Sequence, residues 1–146
     1  MPSKAQMIKL AETDDDIRRC FPVMRLLRPH LQDADDLLTR ARRQMAGSGW
    51  RLAYVENEGE VAACAGFRVH EWLVSGRVLY VDDLVTDDRK RSRGNGKALL
   101  DWLKDLARAE NCLQLRLDSG THRAQAHKFY FREGLTIQAF HFETNL

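Results

Sequence analysis

The spacing of hydrophobic and polar residues changes several times along the chain, and each change predicts a new element. The alternating stretch MIKLA predicts a first strand. A helical pattern begins at about Asp14, where Thr13 and Asp16 resemble a capping box with aspartate in place of glutamate. This first helix is expected to continue through IRRCFPVMRLL, to bend at Pro22 and to stop at Pro29.

A second helical pattern follows, and then a change to alternating residues. In DADDLLTRARRQMAG, Asp33 can cap a helix and Gly47 can end it. From Trp50 onward the period falls to two, which predicts strands separated by tight turns at residues 58–59 and 75–76. The three strands, the last of them RVLYVDDLVTD, predict an antiparallel meander.

The last third of the chain alternates between helical and strand patterns. A helix is expected from Gly96, a strand in CLQLRLDSG, a helix in RAQAHKFYFREG that Gly134 closes, and a last strand in LTIQAFHFETNL. The predicted order is therefore β-α-α-β-β-β-α-β-α-β, which indicates an α/β fold of the mixed α+β kind. No repeat or low-complexity linker interrupts it, which predicts a single domain over residues 1–146.

The composition of the chain excludes several classes of protein. With 146 residues, 44% of them hydrophobic, the chain is long enough to bury one sizeable core. The net charge of +2 gives no general attraction to nucleic acid, and there is no run of about 18 apolar residues to predict a membrane span. Three cysteines without a C-x-x-C pair indicate neither a disulfide framework nor a zinc site. Without an apolar signal core, the chain is expected to be soluble and cytoplasmic.

Positive charge is concentrated in RKRSRGNGKALLDWL, residues 89–103, between the third meander strand and a helix. This loop brings Gly94, Asn95 and Gly96 to the helix N-terminus, where unpaired backbone N–H groups and the helix dipole favour an anion. Glycine lets the backbone approach an oxygen-rich ligand closely, and Arg91 and Arg93 add charge-assisted hydrogen bonds. A pyrophosphate fits this arrangement best, with an ordinary solvated basic loop as the alternative.

Two familiar phosphate-binding motifs do not match this loop. A P-loop requires a glycine where Arg91 stands and a hydroxyl residue where Ala98 stands. A dinucleotide-binding fingerprint requires a third glycine at Leu99 and a place after the first strand of a βαβ unit. The pattern that remains is R-x-x-G-x-G.

Three motifs together carry a resemblance to a known family. R-x-x-G-x-G at residues 91–96, LYVDDLVTDD before it and RAQAHKFYFREGL after it resemble, in order and spacing, the GNAT superfamily of acyl-CoA-dependent N-acetyltransferases. The resemblance covers residues 50–146, whereas residues 1–49 match only in helical character. It implies the GNAT fold, in which a mixed central sheet with an antiparallel N-terminal meander is flanked by about four helices.

The resemblance implies a cofactor site for acetyl-CoA, without a metal. Main-chain groups of Leu84, Val85 and Thr86 would hold the acetyl carbonyl and the pantetheine arm. Arg123 stands where an asparagine often contacts the cofactor arm. Further departures from the family pattern are Thr86 for a common valine and Asp88 for a common proline, and cofactor binding is expected to survive them. The pyrophosphate would be enclosed by seven consecutive residues, of which Ser92 replaces a common glycine: Arg91, Ser92, Arg93, Gly94, Asn95, Gly96 and Lys97.

The resemblance also implies catalytic groups for acetyl transfer to an amine. Tyr130 occupies the position of the tyrosine that points at the thioester sulfur and acts as general acid, and His127 can neighbour it on one helix face. Asp82 stands where some polyamine-type acetyltransferases carry a glutamate proposed to deprotonate the acceptor, and Asp83 is a second candidate for contact with that substrate. Only one of these aspartates can face the acceptor from a regular strand, although a bulge would change that.

These observations predict an N-acetyltransferase that moves an acetyl group from acetyl-CoA to a primary amine of a small molecule or peptide, by direct attack in a ternary complex. One alternative is an acyl-CoA-binding regulatory domain without turnover. A nucleic-acid-binding module built on RKRSR is another, and the near-neutral net charge and the lack of interleaved aromatic residues count against it. The acceptor and the general base, whether Asp82, another acid or water, stay open, and a homodimer is compatible with this prediction.

Overall fold

A computed structural model describes residues 6–90 and 94–146, and as far as residue 132 its strands and α-helices follow the predicted order except that the first predicted helix is two helices. A short 3-10 helix, Asp88–Lys90, lies after the fourth strand. The strands are β1 (Gln6–Leu10), β2 (Arg51–Asn57), β3 (Glu60–Trp72), β4 (Gly76–Thr86) and β5 (Gln114–Leu117), and the α-helices are α1 (Asp14–Arg19), α2 (Phe21–Leu27), α3 (Ala34–Ser48), α4 (Asn95–Ala109) and α5 (Ala124–Arg132).

The expected first helix is two helices that meet at Cys20. Thr13 caps α1 as predicted, since its hydroxyl accepts a hydrogen bond from the Asp16 amide at 3.1 Å. Cys20 ends α1 and precedes α2, and Pro22 lies in the first turn of α2, where an N–H would have no partner within the helix. The prediction of one helix bent at Pro22 is therefore wrong, because the proline starts a helix here.

The helix α3 has the predicted start and ends slightly later than predicted. Asp33 caps it, because its side chain accepts a hydrogen bond of 2.7 Å from the Asp36 amide. The C-cap is Gly49, whose φ of 71° is a left-handed conformation that glycine adopts at little cost. Gly47, the predicted end, lies within the helix.

One five-stranded sheet has the order β1-β2-β3-β4-β5, and its first four strands pair antiparallel, as the predicted meander requires. The register shifts between β3 and β4, where Gly66 pairs with Asp83 and Phe67 pairs with Val81. Asp82 is therefore an extra residue on β4, which makes this position a β-bulge.

Buried residues of the helices of residues 14–109 pack against this sheet. The helix α4 packs on β2, β3 and β4 and buries Leu99, Leu100 and Leu103 completely. No helix in residues 6–90 and 94–146 is both long enough and apolar enough to cross a membrane. A second cluster joins α1, α2 and α3 to the sheet and includes Ile17, Val23, Met24, Leu37, Leu52, Tyr54, Cys64 and Val85.

The chain divides into two compact units, Met1–Arg116 and Leu117–Leu146. The first unit contains the elements from β1 to α4 and most of β5, and the second contains α5 and the residues after it. The expectation of a single domain over residues 1–146 stays a prediction.

Residues 135–146 form no strand, so the predicted last strand is wrong. That prediction was based on alternating hydrophobic residues, but Ile137, Phe140 and Phe142 are 69%, 83% and 90% exposed. Alternation alone does not make a strand, because a strand also needs a neighbouring strand to take up its backbone hydrogen bonds.

Candidate active site

The bulge in β4 takes the two aspartates of LYVDDLVTDD out of regular alternation. In a regular strand, Asp82 and Asp83 would point to opposite faces, and the extra residue removes this constraint. Both carboxyl groups are partly buried, with 23% and 14% of their side chains exposed. Each is held by an arginine from another part of the first unit, Asp82 by Arg68 of β3 and Asp83 by Arg28 after α2.

Arg68 engages both carboxylate oxygens of Asp82. Its Nε lies 3.2 Å from Oδ1 and 3.1 Å from Oδ2, and its Nη2 donates a further hydrogen bond to Oδ2. The same guanidinium donates to Gln44 Oε1 at 3.0 Å and to the Ser48 hydroxyl. Because Gln44 and Ser48 lie at the end of α3, this network ties the bulge to that helix.

Arg28 holds the side chain of one aspartate and the main chain of the other. Its Nε donates to Asp83 Oδ1 at 2.8 Å, and its Nη2 donates to the Asp82 carbonyl oxygen at 2.9 Å. Burial raises the pKa of Asp83, and the hydrogen bond and charge of Arg28 offset this only in part. A carboxyl group with a raised pKa in a site of this kind suits a proton acceptor.

Gly66, which pairs with Asp83, provides the space that this arrangement needs. A Cβ placed on Gly66 would lie 2.4 Å from Asp83 Oδ2 and 2.4 and 2.6 Å from Cζ2 and Nε1 of Trp50. Ordinary contacts of a Cβ begin at 3.4 Å. The carboxylate and the indole therefore occupy the volume that any larger residue at position 66 would fill, and Trp50 itself is only 4% exposed.

The N-terminus of α4 presents backbone N–H groups, as the loop motif predicts. Gly94 is its N-cap residue with a φ of 77°, and no side chain caps this helix end. The amide of Ala98 makes the first helical hydrogen bond, 2.8 Å to the Gly94 carbonyl, so the amides of residues 95–97 precede the helical ladder. No described atom lies within 4 Å of the position that a Gly94 Cβ would take. Three predicted pyrophosphate residues, Arg91, Ser92 and Arg93, lie outside the described residues.

Two side chains predicted to enclose the pyrophosphate have hydrogen-bond partners of their own. Asn95 is 1% exposed and its Oδ1 accepts a hydrogen bond of 3.1 Å from Asn57 at the end of β2. Lys97 lies one helical turn from Asp101 and forms an ion pair with it at 2.9 Å. Asn95 thus anchors the start of α4, and backbone amides are what this helix end offers to an anion.

Asp87 supports the start of the loop, and the sequence analysis does not predict this role. Its carboxylate is 2% exposed and accepts hydrogen bonds from the Arg89 amide at 3.1 Å and from Arg89 Nε at 3.0 Å. The backbone amide of Asp87 donates to the Ala62 carbonyl at 2.9 Å, and the Thr86 hydroxyl donates to Asp88 at 3.2 Å. The signal was available, since an aspartate side chain often bonds the amide two residues later in a turn.

Leu84, Val85 and Thr86, predicted to hold the acyl arm by their main chain, form the last three residues of β4. They pair with residues 63–65 of β3, and the side chains of Leu84 and Val85 are buried. Their role toward the cofactor stays a prediction. In residues 6–90 and 94–146, no group of three histidine, cysteine, aspartate or glutamate side chains is placed to hold a metal ion.

The second unit contains the predicted general acid. Tyr130 is 9% exposed and is the buried residue of α5. Burial raises the pKa of Tyr130, whereas the charge of Arg123 and hydrogen bonding to its side chain lower it. Arg123 is the N-cap residue of α5. His127, which shares a helix face with Tyr130, has its Nε2 2.9 Å from the carbonyl oxygen of Gly120.

Comparison with known proteins identifies the family to which the chain belongs. A model described as the Acetyltransferase (GNAT) family matches residues 10–134. The chain is 30% identical over 136 residues to the uncharacterized N-acetyltransferase YhdJ of Bacillus subtilis (strain 168), an alignment that covers 92% of this chain and 95% of that protein.

Solved structures of acetyltransferases share the fold. The aminoglycoside N-acetyltransferase AAC(6')-Iy, in complex with CoA, matches with a TM-score of 0.81 at 14% identity, covering 100% of this chain and 99% of that one. The ribosomal-protein-alanine N-acetyltransferase of Brucella melitensis biovar Abortus 2308 matches with a TM-score of 0.79 at 20% identity. This match covers 97% of this chain and 99% of that one. The chain belongs to the GNAT family, and it is an N-acetyltransferase, as the three motifs predict.

Proposed function

We propose that the protein transfers an acetyl group from acetyl-CoA to a primary amine of a small molecule or peptide, by direct attack in a ternary complex. The bulge of β4 is the observation that supports this most, because it places two partly buried carboxyl groups, Asp82 and Asp83, at one irregular position of the sheet. The similar structures include an aminoglycoside and a ribosomal-protein-alanine N-acetyltransferase, so the proposal keeps small molecules and peptides as acceptors.

The described part of the loop fits a pyrophosphate. The amides at the start of α4 and the open space at Gly94 are suited to an oxygen-rich anion, which the helix dipole also favours. We assign the pyrophosphate to these amides together with Arg91 and Arg93, and the acyl arm to the main chain of β4. When bound, acetyl-CoA supplies the activated thioester.

The aspartate pair is assigned the removal of a proton from the acceptor, directly or through water. An amine with a pKa of about 10.4 is only about one part in a thousand neutral at pH 7.4, so attack requires a base. Asp82, the base implied by the family resemblance, has both oxygens engaged by Arg68. Asp83 combines burial with a raised pKa, so we favour Asp83 as the proton acceptor and keep Asp82 as the alternative.

Tyr130 is assigned the role of proton donor to the departing sulfur. It is the buried residue of α5, and burial raises the pKa of its hydroxyl, an effect that Arg123 opposes. Neither a metal nor a covalent enzyme intermediate is part of this proposal.

An amine panel tests the proposal. The purified protein is incubated with acetyl-CoA and a set of aminoglycosides, polyamines, amino acids and peptides, and free thiol is measured over time. We expect thiol release that depends on one class of amine, together with a mass increase of that amine by one acetyl group. Binding of acetyl-CoA without transfer to any amine would contradict the proposal and favour a regulatory acyl-CoA-binding domain.

Thermal unfolding with two donors tests the placement of the pyrophosphate. A ligand that binds only the folded state raises the melting temperature in proportion to the logarithm of its concentration over its Kd. Acetyl-CoA should therefore stabilise the protein much more than S-acetylpantetheine, which lacks the pyrophosphate and the nucleotide. Equal stabilisation by both donors would contradict the assignment of the loop.

A further inference from the structure

Three aromatic rings lie together on one face of the β3–β4 hairpin. The ring centroids of His70 and Trp72, two residues apart on β3, are separated by 5.1 Å, and the Tyr80 ring of β4 lies 6.3 Å from the first and 5.9 Å from the second. The planes of His70 and Trp72 are inclined by 17°, so these two rings are stacked. All three residues are half-buried, so the cluster is not sealed inside the core.

These rings share a face of the sheet with the first aspartate of the bulge. Alternate residues of a strand point to the same face, so Arg68, His70 and Trp72 form one row along β3. Arg68 binds both carboxylate oxygens of Asp82, and it pairs with Tyr80 in the strand register. Four residues of strand, or about 13 Å, separate Arg68 from Trp72. The rings therefore lead from the aspartates of the bulge toward the turn of the hairpin.

Arg116 of β5 covers the far end of this row. Its guanidinium carbon lies 4.1 Å from the centroid of the Trp72 ring, which is a close cation–π contact. Its Nη1 donates a hydrogen bond of 3.3 Å to the Ser75 hydroxyl. None of the carboxylates in residues 6–90 and 94–146 forms an ion pair with this half-buried guanidinium. Arg116 and the three rings all belong to the first unit.

Stacking holds the Arg116 guanidinium without using the groups that bind anions. The contact with Trp72 occupies the face of the guanidinium, whereas its five N–H donors lie in the plane and point outward from the edge. The bond to Ser75 engages Nη1 alone. A planar donor group held in one orientation suits a carboxylate or a phosphate, because either can accept two parallel hydrogen bonds from it.

We infer that the acceptor carries an anionic group, a carboxylate or a phosphate, which binds Arg116 while the amine lies at the aspartate pair. The part of the acceptor between these ends rests on the rings of the cluster. The charges of the two ends are complementary, since carboxylates attract a protonated amine and a guanidinium attracts an anion. A span of about 13 Å corresponds to about four residues of extended peptide. This inference rests on the proposed function and adds the class of acceptor to it.

Matched acceptors test this inference. Three tetrapeptides share one amine and differ at the last residue, which is a free carboxylate, a phosphoserine amide or a neutral serine amide. At least one anionic peptide should be acetylated with a KM about tenfold below that of the neutral amide and a similar kcat, because the anion binds far from the reacting atoms. The two anionic peptides show which anion the site takes. An equal KM for all three peptides would overturn the inference.

Variants of Arg116 show whether this side chain causes the preference. Arg116→Gln should raise the KM of the preferred anionic peptide about tenfold and leave the neutral amide at its native KM, which also shows that the variant is folded. Arg116→Lys, which keeps the charge and loses the planar donor group, should retain part of the preference. Arg25→Gln is the matched control, because Arg25 is an exposed arginine that lies 5.4 Å from the Phe21 ring. A preference that survives in Arg116→Gln, or is lost equally in Arg25→Gln, would overturn the inference.

Binding of the acetylated peptides separates this inference from the proposed function. The N-acetylated anionic peptide, measured by calorimetry in the presence of CoA, should bind the native protein about tenfold more tightly than the N-acetylated amide, and Arg116→Gln should bind both equally. Equal binding in the native protein, or no binding of either anionic peptide, would overturn the inference even where transfer to other amines is observed. Absence of transfer to any amine is a different result, because it contradicts the proposed function, and the binding difference then decides the role of Arg116.

Discussion

Replacing Gly66 with alanine tests whether the arrangement at the β4 bulge depends on the space above this glycine. The added Cβ would lie 2.4 Å from both Asp83 Oδ2 and Trp50 Cζ2, where ordinary contacts begin at 3.4 Å. Neither neighbour can withdraw easily. Arg28 holds the carboxylate at 2.8 Å, and the indole is 4% exposed. The backbone or one of these side chains must therefore shift.

The size of the effect follows from this overlap. Overpacking of a well-packed site costs about 1–3 kcal/mol, and a domain of this length loses about 2–4 °C of melting temperature per kcal/mol. Gly66→Ala should therefore unfold about 2–12 °C below the native protein. Acetyl transfer should slow by up to about a hundredfold, because a displacement of about 1 Å at a catalytic group can cost that much.

The assay is thermal unfolding together with steady-state transfer to the best amine of the panel. Gly47→Ala is the matched control, since Gly47 lies within α3 and has no atom within 4 Å of its would-be Cβ. Alanine there should raise stability by about 0.5–1 kcal/mol through its better helix propensity. A Gly66→Ala protein with native melting temperature and native rate would refute the reasoning about the bulge.

Three further predictions concern the loop and the acid pair. Gly94→Val should weaken acetyl-CoA binding about tenfold or more, measured by calorimetry, because valine is strained at a φ of 77° and its side chain would enter the space at the helix end. Gly49→Val, at a similar φ of 71°, is the matched control and should bind acetyl-CoA with native affinity. Equal affinity in the two variants would contradict the assignment of the loop to the cofactor site. The raised pKa of Asp83 means that the folded state binds its proton more tightly than the unfolded state, so the contribution of Asp83 to stability falls as pH rises from about 4 through its folded pKa. Asp83→Asn should remove this contribution, and a difference between the native and variant unfolding free energies that does not change with pH would contradict the assigned shift. Asp83→Asn should also slow transfer by about 10²–10⁴ with a changed pH–rate profile, whereas a larger loss in Asp82→Asn would make Asp82 the base.

The sequence predicts correctly those helix ends that depend only on residues close together in the chain. The caps at Thr13 and Asp33 were found because a side chain bonds an amide three residues later. The prediction of a bend at Pro22 is wrong because a proline fits the first turn of a helix as well as a bend, and only the break at Cys20 decides between them. The prediction of a last strand is wrong because alternation describes a single segment, whereas a strand in a sheet also needs a neighbouring strand to pair with.

The motif residues of the site were predictable, but their partners were not. Asp82, Asp83 and Tyr130 belong to short motifs, so their positions follow from the sequence directly. Arg28 lies 55 residues from Asp83 along the chain, and Arg68 lies 14 residues from Asp82. Contacts of this kind depend on strand register, and the register here includes a bulge that alternation does not reveal.

The assignment of Tyr130 is tested most directly by single-turnover acetyl transfer in Tyr130→Phe. The change removes one hydroxyl and keeps the ring, so folding and acetyl-CoA affinity should change little. Tyr54→Phe is the matched control, because it removes the hydroxyl of another buried tyrosine, one that bonds Asp16 at 3.4 Å. We expect transfer to slow by about 10²–10⁴ in Tyr130→Phe and to stay near native in Tyr54→Phe. A native chemical rate in Tyr130→Phe would contradict the account.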